Sequence, residues 1–359
     1  MSCAADLTTF FGCLYCGEAL QLIGNRLQCI GCGAQFVIDE GIACFMPKGL
    51  RTDCALTPYF QELYRRAIEI GWEAAIREHT RKHPGPQGVE YTQEHICSEA
   101  RADFRFLMPV DSSSVVLDVG SGWGNTTTAF ARTARYVIAL DTSLDNLRFV
   151  QLRARQEGLH NVIAAQGDAC TMSVQPASCD AALMVGVLEQ VAWGRADGSP
   201  QCLQKRALQG VHRVLKPGGC LYLAIENRFG FHCFLGAKGR HTNLRFVSLL
   251  PYVLAQRYST LVRQRDYREI TYSLPGLRRL LRSVGFDQVD FYFPIPNCQN
   301  FRFLVDFENR CASRFVLEQL PTYPRFSRWQ YLAGRIMLSL PLYLGRFFWP
   351  SFSVLAVRS

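Results

Sequence analysis

The chain has 359 residues, about twice a typical domain, with 48% apolar and 19% charged residues, a balance that excludes wholesale disorder. Its net charge of +9 is uneven: residues 1–203 carry 16 Lys+Arg against 22 Asp+Glu, and residues 204–359 carry 23 against 8, twenty of those 23 being arginine. An acidic front half and an arginine-rich back half point the back half toward an anionic partner.

In the first fifty residues, Cys13-Leu14-Tyr15-Cys16-Gly17 and Cys29-Ile30-Gly31-Cys32-Gly33 form two Cys-x-x-Cys-Gly units, twelve residues apart. Each unit can close a knuckle whose sulfurs share one metal, with glycine supplying the left-handed backbone. Cys13, Cys16, Cys29 and Cys32 therefore predict a closed, four-thiolate structural zinc site. Residues 10–47 resemble the zinc ribbon of the Trm112-like family, including the ending Phe36-Val37-Ile38-Asp39-Glu40-Gly41-Ile42. Residues 1–50 are read as this ribbon. Residues 51–110 follow as a polar helical linker or cap, broken near Pro84-Gly85-Pro86.

At residue 115 the pattern changes. Val115-Val116-Leu117-Asp118-Val119 reads as a buried parallel strand, and it runs into Gly120-Ser121-Gly122-Trp123-Gly124 and a helix over 126–135. A carboxylate at Asp118 would repel a pyrophosphate, so the loop suits a nucleoside cofactor with an ammonium group and no phosphate. S-adenosylmethionine meets that requirement. A second strand, 136–140, ends at Asp141, placed to hold ribose hydroxyls, and a third ends in Gly167-Asp168-Ala169, where Asp168 can accept from adenine. A fourth strand over 179–185 leads into Gly186-Val187-Leu188-Glu189-Gln190-Val191, and Leu215-Lys216-Pro217-Gly218-Gly219 turns into a fifth over 220–225.

This ordered series resembles the class I S-adenosylmethionine-dependent methyltransferases, and the turn and the Glu189 segment resemble their type 11 subgroup. The resemblance implies an α/β fold: a seven-stranded Rossmann-like sheet over 111–359 with an N-terminal zinc ribbon. It also implies a methyl-transfer activity, with Asp118, Gly120, Gly122, Gly124, Asp141, Asp168 and Ala169 at the cofactor. Gln190 stands where the subgroup often has histidine. A helix over 274–284 and strands over 286–293 and 352–358 complete the pattern, leaving insertions at about 228–272 and 294–350.

The first insertion opens with Glu226-Asn227-Arg228-Phe229-Gly230, and 228–282 holds eleven cations against two acids. With the His241-Thr242 element, it resembles a bacterial subgroup associated with surface-polysaccharide and glycoconjugate synthesis. That resemblance implies O-methylation of a sugar or of a glycolipid or polysaccharide precursor, with an anionic small-molecule or lipid-linked glycan as acceptor. Arginine forks suit phosphate or carboxylate, although a solvated basic surface would look the same. A sugar hydroxyl needs a base, and His241, Glu226 and Glu189 are the candidates.

Two rival readings stay open: a ribosomal or transfer RNA methyltransferase using the basic half as a phosphate track, and a non-catalytic methyltransferase-fold scaffold. With no basic-then-apolar leader and no apolar run of bilayer length, the expected location is cytoplasmic. Residues 328–350 mix Trp329, Phe347, Phe348 and Trp349 with arginine, a composition suited to peripheral contact at a membrane's inner face or to packing on the sheet.

Overall fold

The computed structural model describes residues 4–47, 58–84, 88–239, 242–306 and 342–359, with isolated positions between 307 and 341. Two compact units emerge. The first comprises Met1–Met184, Arg206–Leu221 and Val357–Ser359, and the second Val185–Lys205 and Tyr222–Ala356.

The first unit opens with α1 (Ala4–Phe10) and four short strands, β1 (Leu20–Ile23), β2 (Arg26–Cys29), β3 (Gln35–Asp39) and β4 (Ile42–Cys44). These pair antiparallel in sequence, β1 with β2, β2 with β3 and β3 with β4. Helices α2 (Pro58–Ile70), α3 (Trp72–Lys82) and α4 (Val89–Cys97) follow, then a 3-10 segment over Glu99–Leu107. Besides the expected break after α3, the helical region breaks at Gly71, where φ is 90° and a side chain would be strained.

Beyond it lie β5 (Val115–Val119), α5 (Asn125–Ala131), β6 (Tyr136–Asp141), α6 (Leu144–Gln156), β7 (Val162–Gln166) and β8 (Cys179–Val185). The strands run in the order β7-β6-β5-β8, and the β6–β7, β5–β6 and β5–β8 pairs are parallel. β5 is buried along its whole length, as a central strand covered on both faces must be. This is the Rossmann-like architecture of the class I fold. The helix after β5 is shorter than the sequence pattern predicts, ending at Ala131.

The ribbon is not a loose appendage. β4 pairs in parallel with β7, matching Ala43 to Ala165 and Cys44 to Gln166, so it supplies the next strand of the sheet. The Phe45 amide continues the ladder to the Gln166 carbonyl at 2.7 Å, and Arg148 of α6 pairs with Asp39 at 2.6 Å. Ile42 is fully buried with Ala139, Leu147, Val150 and Ala164. An exposed edge at β7 would offer unpaired backbone groups to other chains, and β4 covers it.

The helical region packs on α6 through Phe60, Leu63, Trp72, Ile76, Phe149 and Leu152. Arg153 of α6 is 1% exposed, with its guanidinium 3.9 Å from the Trp72 ring centroid and hydrogen bonds to Glu157 and the Ile96 carbonyl. A buried cation is tolerated only when paired and solvated by such groups.

After α7 (Pro200–Val214), β9 (Leu215–Glu226) begins in the first unit and ends in the second. Its Lys216-Pro217-Gly218-Gly219 stretch is explained by local crowding. A Cβ at Gly219 would lie 2.8 Å from the Lys216 carbonyl oxygen, and Lys216 Nζ donates to both Asp180 oxygens.

The second unit continues with α8 (Phe231–Phe234), α9 (Tyr252–Arg263), α10 (Leu274–Ser283), β10 (Phe286–Ile295), β11 (Phe303–Asp306) and β12 (Ser351–Arg358). Its strands run β9-β12-β10-β11. Seven of the twelve strands among the described residues stand where the sequence pattern anticipates; β1–β4 and β11 are additional, so the expected seven-stranded sheet is an undercount. β11 lies inside the anticipated 294–350 insertion and pairs antiparallel with β10. Trp329 and most of the aromatic 328–350 segment lie outside the described residues. Its end packs inward, with Trp349 buried and its indole donating to the Pro294 carbonyl.

Truncating the apolar junction between ribbon and sheet tests their union: Ile42→Ala is expected to cost about 3 kcal/mol of unfolding free energy, measured by urea denaturation.

Candidate donor site and cysteine cluster

The turn after β5 depends on glycine. Gly120, Gly122 and Gly124 have φ of 71°, 53° and 80°, a region costly for other residues. The Gly120 amide donates to the Leu140 carbonyl, and the Gly122 amide donates to Asp141 Oδ2 at 2.9 Å. A Cβ at Gly124 would meet Val150 Cγ2 at 3.1 Å, whereas one at Gly122 would enter open space. The loop therefore packs on its Gly124 side and is open at Gly122.

Asp118, 1% exposed, accepts from the hydroxyls of Thr126 at 2.7 Å and Thr127 at 2.6 Å, both on Oδ2. Asp141 accepts on Oδ1 from the Ser143 amide and the Asn146 side chain, besides Gly122 on Oδ2. A carboxylate has about four acceptor positions, and the Gly122, Ser143 and Thr142 amides and the Asn146 side chain engage those of Asp141. Burial pushes both carboxyls above the usual carboxylate range; at Asp118 the Thr127 and Thr126 hydroxyls oppose the rise, and at Asp141 the Ser143 and Gly122 amides do.

The end of the third strand converges on the same place. The Gly167 amide donates to the Asp141 carbonyl at 3.0 Å, and a Cβ at Gly167 would lie 2.9 Å from Leu140 Cδ1. Asp168 and Ala169 follow, both buried, with Asp168 Oδ1 accepting from the Cys170 amide. Asn125, not singled out by the sequence pattern, donates to the Ile96 and Ser98 carbonyls and ties the helical region to the glycine loop.

S-adenosylmethionine fits these residues on three counts. Buried Ser121 Oγ in the loop and Asn125 Oδ1 at the start of α5 have no partner among the described residues. The space beyond Gly122 is open, and the buried carboxylates of Asp118 and Asp141, one before the loop and one bonded to it, have the chemistry to pair with a cationic amine and to accept from a hydroxyl. Asp118, the three glycines and Asp141 would hold it, with Asp168 and Ala169 at the next strand end.

The four ribbon cysteines also come together. Cys13, Cys16, Cys29 and Cys32 place their sulfurs within 4.8 Å of one another, a set able to hold a metal ion. Gly17 and Gly33 take φ of 78° and 73° and close the two knuckles. The Cys32 and Gly31 amides point at Cys29 Sγ, and the Cys32 amide is the main influence holding that thiol down to about 6.

In the second unit, Glu226 ends β9 and borders a cavity of about 30 Å³ with His232, Tyr267 and Glu269. Glu189 is buried in a 3-10 turn over Leu188–Gln190. His241 lies outside the described residues. Many of the arginines have a structural employment that composition does not reveal. Arg228 donates to the Ser248 and Leu250 carbonyls, Arg268 to those of Ala192 and Gly198, and Arg245 to that of Gly236. In the first unit Arg213 caps the Met172 carbonyl and Arg358 caps those of His212, Arg213 and Leu215. These forks fasten connecting segments rather than present charge to a ligand.

Two glycine substitutions separate packing from ligand space. Gly122→Ala is expected to lower donor affinity at least tenfold with a stability loss of about 1 kcal/mol, while Gly124→Ala loses about 2 kcal/mol or more, as calorimetric titration and denaturation would show.

Comparison with known proteins places the same segment. Residues 117–223 match the profile of a methyltransferase domain, Methyltransf_11. The ubiquinone biosynthesis O-methyltransferase of Xylella fastidiosa strain 9a5c is 28% identical over 134 residues, 37% of this chain. The chain spans about half the length of that relative (50%). A solved structure of Haemonchus contortus phosphoethanolamine N-methyltransferase 2 with S-adenosylmethionine superposes with a TM-score of 0.43 at 18% identity, covering 87% of this chain and 61% of that one. A chain from the complex of the Haloferax volcanii Trm112 methyltransferase activator gives 0.41 at 15% identity, covering 82% and 96%. Residues 117–223 are therefore similar to a methyltransferase domain.

Proposed function

We propose that the whole chain is an S-adenosylmethionine-dependent methyltransferase that O-methylates a sugar, or a glycolipid or polysaccharide precursor. The observation carrying the donor assignment is the loop of three positive-φ glycines hydrogen-bonded to Asp141 beside buried Asp118. The O-methyl reading is supported by the sequence likeness to a ubiquinone O-methyltransferase and by the Glu226-to-Gly230 and His241-Thr242 motifs. A cleft of about 510 Å³ in the second unit, bordered by Arg279, Tyr272 and Ser273, is a candidate seat for an anionic group of the acceptor.

When bound, S-adenosylmethionine supplies a methyl group already activated on a sulfonium. The chain's part is then alignment and exclusion of water. Asp118 would pair with the cationic amine, Asp141 would bind the ribose, and Asp168 would accept from the adenine amino group. Transfer to a hydroxyl oxygen leaves a proton to be removed, and Glu226, Glu189 or His241 serves as the base. The cysteine cluster holds a structural zinc in a Trm112-like ribbon, since four thiolates leave no coordination position open for water.

Two tests follow. Burial raises the folded-state pKa of Asp118, so in the ligand-free protein its contribution to stability is greatest below the ordinary carboxylate pKa and falls as pH rises through the raised value. A cationic donor favours the ionised form, so the thermal shift it causes should grow with pH over that window. In Asp118→Asn that growth should be absent, and a pH-independent shift in wild type would contradict the amine contact. Labelled methyl transfer to lipid-linked or nucleotide-linked sugars should be seen in wild type and lost in Asp118→Ala; transfer to RNA instead would overturn the acceptor class.

A further inference from the structure

Helix α9 turns the wrong face to solvent. Ala255 and Ser259 point inward and are buried, packing near Leu244, Val247 and Tyr267. The opposite face, which in a surface helix should be polar, carries Val253, Leu254 and Leu261, at 62%, 48% and 83% exposure. Arg257, one turn from both Val253 and Leu261, sits in the middle of this ridge and is exposed. Val262, 60% exposed, and Arg263 close the last turn of the helix, and Arg265 lies just past its end, where Gln264 takes a left-handed φ of 54°.

The surrounding charge is predominantly cationic. Of the two acids among residues 228–282, Glu269 is buried and Asp266 accepts from Gln256 Nε2 at 2.6 Å. The outward face is therefore aliphatic and cationic. We infer that α9 and the segment to Arg265 dock the second unit on an anionic lipid surface. The aliphatic side chains enter the boundary between headgroups and acyl chains, while the arginines stretch to lipid phosphates.

Charge decides among possible occupants. A second copy meeting this face about a two-fold axis would bring Arg257 against its own counterpart, with Asp266 as the one exposed acid against Arg257, Arg263 and Arg265 in each copy. A nucleic acid would satisfy the arginines and leave the aliphatic ridge exposed. An anionic bilayer satisfies both. The inference stands apart from the methyl-transfer reading, because none of these residues lies in the donor site.

The test is co-sedimentation of the full-length, zinc-loaded chain with vesicles of phosphatidylcholine, alone or doped with phosphatidylglycerol. Doping should raise binding at least tenfold, and added salt should reverse much of that gain. Leu254→Ser with Leu261→Ser should abolish it, and Arg257→Gln should weaken it about fivefold. Donor titration on the same variants checks that they remain folded and should be unchanged. Equal binding by wild type and the double-leucine variant would overturn the proposal. So would no binding by wild type, or a double variant that changes only the oligomeric mass in light scattering.

Discussion

The hydrogen bond from the Gly122 amide to Asp141 is the contact on which the donor site turns. It joins the loop after β5 to the end of β6, and it forms only because Gly122 takes a left-handed conformation. Asp141 is then held on its other oxygen by Ser143 and Asn146 at the start of α6. One carboxylate thus fixes a loop, a strand end and a helix start in one geometry. Placing such a carboxylate out of water is costly, and these donors are what make it tolerable.

That geometry is braced from the ribbon side. Ile42 packs on Val150, and Val150 is the residue that limits space at Gly124. A continuous path of packed atoms runs from β4 through α6 to the glycine loop. The cysteine cluster lies on the same module as β4. On the opposite flank, Asn125 and buried Arg153 both reach the Ile96 carbonyl, tying the helical region to the loop and to α6.

Much of this was legible in the sequence where the signal is local. The glycine loop, the carboxylates at strand ends and the paired Cys-x-x-Cys-Gly units each lie within a few residues, and backbone geometry dictates the residue types. The β4–β7 pairing was not legible. β4 has three residues and its partner lies about 120 positions away, so no periodicity marks it. Nor does composition distinguish an arginine that grips an anion from one that caps carbonyls, as Arg228, Arg268 and Arg358 do. Arg153 is a charged residue on a helix that reads as amphipathic, yet Trp72, more than eighty residues earlier, covers it. The outward aliphatic ridge of α9 lies inside the 228–272 insertion, where apolar residues at helical spacing do not by themselves say which face meets solvent.

The most direct measurement is calorimetric titration of the zinc-loaded chain with S-adenosylmethionine, in wild type and in Asp141→Asn. The account predicts saturable one-to-one binding by wild type and a loss of at least tenfold in the variant, which keeps the side-chain shape but removes the charge and one acceptor. A folded wild type that does not bind, or a variant that binds equally well, would contradict it.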